Sequence, residues 1–113
     1  MILFVYGTLK RGHRLNGFLS NAAYLGEAFT TGKLYNLGSY PGMVWGDGIV
    51  YGEVYEVDDF ATLDRVEGTP TLYKRELQKF HWADNPHDYN FAHMYHYQGA
   101  VREEDYIHSG VWK

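Results

Sequence analysis

The chain opens on Met1-Ile2-Leu3-Phe4-Val5-Tyr6 and then breaks at Gly7. An unbroken run of apolar and aromatic residues predicts a strand covered on both faces, so the fold must place a layer on each side of it. Gly7 allows a sharp turn and leaves its amide uncovered. Gly7, Thr8 and Leu9 can therefore present successive N–H groups at the end of a rigid strand, a row of donors suited to a carboxylate, a phosphate or a developing oxyanion. Taken alone, the segment reads first as an ordinary strand-to-loop turn.

The rest of the chain bounds what that strand can belong to. At 113 residues it is long enough for a single domain (residues 1–113) with one core. Aromatic residues make up 18% of it, eleven of them Tyr, and Tyr packs as a core residue while needing a partner for its hydroxyl. That composition suits a β-rich fold with a lined cavity. The absence of cysteine removes disulfides, thiolate catalysis and Cys-type metal sites, and fits a cytoplasmic protein. No basic leader and no membrane-length apolar run is present, so neither a cleaved signal nor a membrane partner is expected. With a net charge of −4 and scattered basic residues, nucleic acid is not an expected partner either.

Along the chain, Leu15, Phe18 and Leu19 suit one or two turns of helix. Residues 23–29 and 33–37 read as strands, Ser39-Tyr40-Pro41-Gly42 as a turn, Gly46-Asp47-Gly48 as a hairpin turn, and 49–57 as the clearest interior strand. Asp58 or Asp59 can cap a short helix through Phe60, Leu63 and Val66 that ends at Gly68. Strands are expected at 73–80 and 91–97, a polar loop at 83–90, and a docked tail at 107–112. The fold class expected is α+β: a mixed sheet curled into a partial β-barrel with one or two short helices.

Glu67 stands out within that helix. At i+4 from Leu63 and i+7 from Phe60 it shares the apolar face, where a carboxylate is costly unless it is paired, hydrogen-bonded or neutral. Desolvation and the C-terminal end of the helix dipole both push its pKa up, toward the range useful for proton transfer at neutral pH. The structural alternatives are an outward turn at the helix end, or neutralisation by Arg65 or Arg75.

Taken together, these segments resemble the γ-glutamylcyclotransferase-like (AIG2-like) family. Val5-Tyr6-Gly7-Thr8-Leu9-Lys10-Arg11-Gly12 is similar to its signature loop, and Leu63-Asp64-Arg65-Val66-Glu67-Gly68 followed by Tyr73-Lys74-Arg75 to its second signature. Gly32-Lys33-Leu34-Tyr35, Tyr40-Pro41-Gly42, 50–57 and the tail Ile107-His108-Ser109-Gly110-Val111-Trp112 fall in family order. The short length, Pro70 and the Tyr-x-Arg look closest to the γ-glutamylamine cyclotransferase branch, from which Gly68-Thr69 departs.

The resemblance implies an intramolecular reaction. The α-amine of a small γ-glutamyl substrate attacks its own γ-carbonyl, releasing 5-oxoproline and an amine, with no cofactor and no metal. It implies Glu67 as the general acid/base, and a substrate-binding set of Tyr6, Gly7, Thr8, Leu9 and Tyr73. Orientation and proton transfer are the two demands of that chemistry. Tyr6 can supply a hydroxyl or a ring wall and Tyr73 a hydroxyl near Glu67, while either can equally be a core tyrosine with its hydroxyl satisfied elsewhere. Arg75, a carboxylate clamp or a strand-surface charge, reads as the latter between Lys74 and Glu76. His93 and His96 point to opposite faces of a strand and make poor joint ligands. The rival reading is a non-catalytic module on the same fold that binds a small molecule or a protein. Pocket width and the loop at 83–90 are expected to decide which γ-glutamyl compound fits. The oligomeric state is not encoded legibly.

Overall fold

The computed structural model describes residues 1–113. Five strands form its frame: β1 (Ile2–Val5), β2 (Ala23–Asn36), β3 (Pro41–Glu56), β4 (Tyr73–Trp82) and β5 (Tyr89–Tyr97). They run in the order β1-β3-β2-β4-β5 around a barrel, with one helix, α1 (Ala61–Val66), and two 3-10 turns at Asn16–Leu19 and Glu103–Asp105. The barrel is closed rather than partial. Short parallel contacts of β5 with β1 at Leu3↔His93 and with β3 at Met43↔His96 complete the ring.

β1 lies between two cores, as its unbroken apolar run requires. Phe4 and Tyr6 point into a cluster with Leu34, Met43, Val50, Val54, Phe80 and Met94 that fills the barrel. Leu3 and Val5 point the other way, into a cluster with Leu9, Leu19, Tyr55, Phe60, Leu63, Tyr73 and Tyr95. That second cluster seats α1 and the loop after β1 against the outside of the barrel. Strand alternation thus puts helix, loop and strand end around one point.

Two turn assignments change. The hairpin between β2 and β3 turns at residues 37–40, closed by Leu37 N–H to the Tyr40 carbonyl at 3.0 Å, and Pro41 and Gly42 already belong to β3. Gly46-Asp47-Gly48 is no hairpin turn but part of a bulge in β3. The register passes from Thr31↔Ile49 to Lys33↔Val44, so that Gly32 faces residues 45–48. Likewise β2 is one strand, and Gly26 and Gly32 mark its register shifts rather than its ends. A glycine-rich dipeptide signals a change of backbone direction, and a barrel takes that change inside a bent strand.

α1 begins and ends as its sequence suggests. Asp59 Oδ1 accepts from the Ala61 N–H at 3.0 Å, and Gly68 adopts a left-handed φ of 67° just past Glu67. The tail docks as expected. Ile107 and Trp112 pack on the barrel core, the Ile107 N–H reaches the Leu34 carbonyl at 2.8 Å, and Tyr51 N–H reaches that of Gly110 at 2.9 Å.

Candidate active site

Where β1 ends, the chain turns through residues 6–9 and leaves a narrow cleft of about 30 Å³. Its lining includes all six residues singled out in the sequence: Tyr6, Gly7, Thr8, Leu9, Glu67 and Tyr73, joined by Phe4, Val5, Pro41 and Tyr95. Thr8, Glu67 and Tyr73 also border a wider groove of about 250 Å³ with Arg14, Leu15, Tyr40, Val66 and Leu72. The two cavities meet at Glu67.

The loop is built so that its carbonyls are occupied and its amides are not. The carbonyl of Gly7 accepts from Lys10 N–H at 3.0 Å, that of Thr8 from Leu15 N–H at 2.9 Å, and that of Leu9 from Asn16 Nδ2 at 2.8 Å. The N–H groups of Gly7, Thr8 and Leu9 donate to no other group in the chain. Residues 7–9 line the cleft, and an anion or a polarised carbonyl is the complement that their free amides lack. Gly7 is required for a steric reason: a Cβ there would sit 2.6 Å from Cγ of Pro41. The Pro41 ring is thereby pressed onto the loop and forms one wall.

The tyrosines supply walls rather than proton carriers. Tyr6 donates its hydroxyl to the Tyr95 carbonyl at 2.6 Å and accepts from Met43 N–H at 3.1 Å. Tyr73, expected to hold its hydroxyl near Glu67, donates it instead to the Pro41 carbonyl at 2.6 Å. Burial pushes both phenols well above their ordinary range. Their rings bound the cleft and their hydroxyls tie β5 and Pro41 in place.

Glu67 is the one acidic group of the cleft. Its carboxylate makes no hydrogen bond and no ion pair, so neither neutralising arrangement with Arg65 or Arg75 is formed. Burial pushes its pKa up to about 7, against an opposing pull from the Arg14 charge. Glu67 is held by its backbone: its N–H donates to the Leu63 carbonyl at 2.9 Å, and the turn after it is secured by Thr69 N–H to the Asp64 carbonyl at 2.9 Å.

Arg75 is not a surface charge, which corrects the sequence reading. Its Nε and Nη2 clasp Asp64 at 2.9 and 3.2 Å, its Nη1 lies 2.9 Å from Nδ1 of His93, and its guanidinium stacks 4.0 Å over Phe60. Tyr95 adds its hydroxyl to the same Asp64 carboxylate at 2.7 Å. This knot staples α1 to β4 and β5, and so fixes where Glu67 stands. The flanking Lys74 and Glu76 hid it, because alternate strand residues face opposite sides.

A family model described as gamma-glutamyl cyclotransferase, AIG2-like, matches residues 3–113. The chain belongs to this family. Among its relatives, the Escherichia coli K12 protein YtfP, named as a gamma-glutamylcyclotransferase family protein, is 38% identical over 99% of this chain and 96% of its own. A gamma-glutamylaminecyclotransferase of Bos taurus is 35% identical over 65% of this chain and 52% of its own. The crystal structure of an AIG2-like protein from Mus musculus superposes with a TM-score of 0.85 at 26% identity, covering 99% of this chain and 87% of that one. The barrel is therefore the AIG2-like fold.

Within this AIG2-like chain, three lining residues escaped the sequence reading. Tyr95 carries no signal of its own in the sequence, and the alternation of β5 puts it with His93 on the α1 side. Pro41 was read as a turn residue. Arg14 belongs to no motif, and loop hydrogen bonds around it, among them Leu15 N–H to the Thr8 carbonyl, bring it to the groove. His93 and His96 do part company: His93 packs on Phe60, whereas His96 is buried and stacks 4.2 Å from Trp45. Neither cavity draws a lining residue from 83–90, so that loop does not shape the site.

Proposed function

We propose that the protein is a cyclotransferase that converts a γ-glutamyl amine or γ-glutamyl peptide to 5-oxoproline and a free amine, with Glu67 as general acid/base. The observation that carries this reading is the unpaired Glu67 carboxylate sharing one cleft with three amides that have no other partner. The substrate brings its own nucleophile. Folding its γ-glutamyl part in the narrow cleft sets the α-nitrogen against the γ-carbonyl carbon, and such orientation supplies a large share of the rate.

Glu67 in its ionised form removes a proton from the α-ammonium. The freed nitrogen forms a bond to the γ-carbon, and the amides of Gly7, Thr8 and Leu9 hold the developing charge on oxygen or the substrate's carboxylate. The protonated Glu67 then gives its proton to the departing nitrogen as the γ-carbon–nitrogen bond breaks. It also takes the second proton of the ring nitrogen and passes it to the freed amine, so the products are the neutral lactam and an ammonium. One C–N bond forms, one breaks, and the base is restored. A carboxyl poised near 7 suits both halves of that transfer. The sole function of Tyr6 and Tyr73 in this scheme is to wall the substrate and hold Pro41 and β5.

The test is release of 5-oxoproline from a panel of γ-glutamyl amines and dipeptides, by the native protein and by Glu67→Gln. Release by the native protein and loss of at least about a thousandfold in the variant is the expected result. A fully active variant would overturn the role of Glu67. Binding without turnover of any panel member would favour a non-catalytic module.

A further inference from the structure

Three cations lie in the loop between β1 and the first 3-10 turn, and two of them are engaged. Lys10 donates its Nζ to the Trp112 carbonyl at 2.7 Å. Arg11 stacks 3.8 Å over Tyr24 and pairs with Glu53, whose Oε1 also accepts its backbone N–H. Arg14 makes no ion pair, hydrogen bond or ring contact, and it lines the outer groove.

The groove's position says what it receives. In the cyclotransferase reading the γ-glutamyl part occupies the cleft beside the loop amides, and the departing nitrogen must lie within reach of Glu67. Glu67, with Thr8 and Tyr73, borders both the cleft and the groove. Whatever the departing nitrogen carries therefore extends into the groove, between the apolar side chains of Leu15, Val66 and Leu72 and the guanidinium of Arg14. Those surfaces match an α-amino acid: an aliphatic side chain on one side and a carboxylate on the other. A guanidinium grips a carboxylate in a two-pronged fork and repels a cationic amine.

We propose that Arg14 is a specificity residue that binds a carboxylate on the leaving amine, so that γ-glutamyl α-amino acids are preferred over γ-glutamyl derivatives of simple or cationic amines. The inference rests on the cyclotransferase reading above. It concerns the half of the substrate that leaves, whereas Glu67 concerns the bond that breaks.

The decisive pair of compounds is γ-glutamyl-L-valine and γ-glutamyl-isobutylamide, which differ only in the carboxylate. The native protein is expected to show kcat/KM at least about tenfold higher for the valine compound, mostly through KM. Arg14→Met should shrink that ratio about tenfold or more, and Arg14→Lys should restore part of it, because the charge returns without the fork. Arg14→Met also removes a charge that favours ionised Glu67, so the rising limb of its pH profile should move to higher pH for both compounds alike. A ratio unchanged by Arg14→Met, with only the pH limb moved, overturns the specificity role. Calorimetric titration of Glu67→Gln with the same two compounds reads the preference without turnover. Equal affinities there overturn the inference while leaving the cyclotransferase reading intact. Absence of 5-oxoproline from both compounds and the wider panel fails the cyclotransferase reading itself.

Discussion

Asp64 and Glu67 stand three residues apart at the end of one short helix, and their surroundings move their protons in opposite directions. Burial raises both, but Asp64 receives Arg75 and the Tyr95 hydroxyl, which outweigh it and hold the carboxyl below its usual range. Glu67 receives no hydrogen bond, and burial carries it to about 7. One carboxylate is a structural anchor with its lone pairs satisfied, and the other is left without a partner. The roles separate along the helix: Asp64 lies against β4 and β5, whereas Glu67, one turn later at the C-terminal end, borders the cleft.

The largest effect should come from erasing the difference at its reactive end. Glu67→Gln keeps size and shape and removes the transferable proton, so 5-oxoproline release should fall at least about a thousandfold while circular dichroism stays native. Next comes the wall that faces Glu67. Gly7→Ala would place a Cβ 2.6 Å from the rigid Pro41 ring, and the displaced loop should lower kcat/KM about a hundredfold. Thermal melting separates that loss from a failure to fold.

Breaking the other end is expected to act on stability before chemistry. Arg75→Met leaves a half-buried Asp64 with Tyr95 as its remaining donor, which should cost about 2 kcal/mol in urea denaturation. A loosened helix should also lower kcat by roughly tenfold, with little change in KM. Asp64→Asn should reproduce both effects in part. A wild-type kcat in either variant would show that the knot does not position Glu67.

The smallest effect sharpens the comparison through pH. Glu67 holds its proton in the folded state up to about 7 and in the unfolded chain only to about 4.5, so folding stability falls as pH rises between those values. Above pH 7 Glu67→Gln should be more stable than the native protein by about 2 kcal/mol, after allowing for solvent at the groove mouth. Below about 4.5 the advantage should vanish. Asp64 has the opposite sign: its depressed carboxyl contributes stability above the unfolded value, and loses it as pH falls through the folded one. Urea titrations of Glu67→Gln between about pH 4.5 and 7, and of Asp64→Asn below about pH 3.8, read the two signs directly.

Much of this was legible in the residues. The Leu3–Val5 run demanded cover on both faces, and the two clusters on either side of β1 supply it. The spacing Phe60, Leu63, Glu67 put a carboxylate on an apolar face, and Gly68 ended the helix behind it. What misled was local punctuation. Gly46-Asp47-Gly48 has the chemistry of a hairpin turn but lies in a bulge, because barrel closure bends β3 there. Arg75 sits among charges in sequence and beneath Phe60 in space. Arg14 gave no signal, since its place depends on a hydrogen bond seven residues back, from Leu15 to Thr8.

The sequence by itself determined the elements whose causes are local: a strand too apolar to be left open, a glycine that frees three amides, and a helix with a carboxylate on its buried side. The tertiary structure alone decided which groups met. Closure of the barrel set the amides of Gly7, Thr8 and Leu9 opposite Glu67, gave Arg75 to Asp64, and left Arg14 unpaired at the outer groove. Burial and pairing depend on neighbours distant in the chain, and it is they that tie one carboxylate down and leave the next unpaired with its pKa raised to about 7.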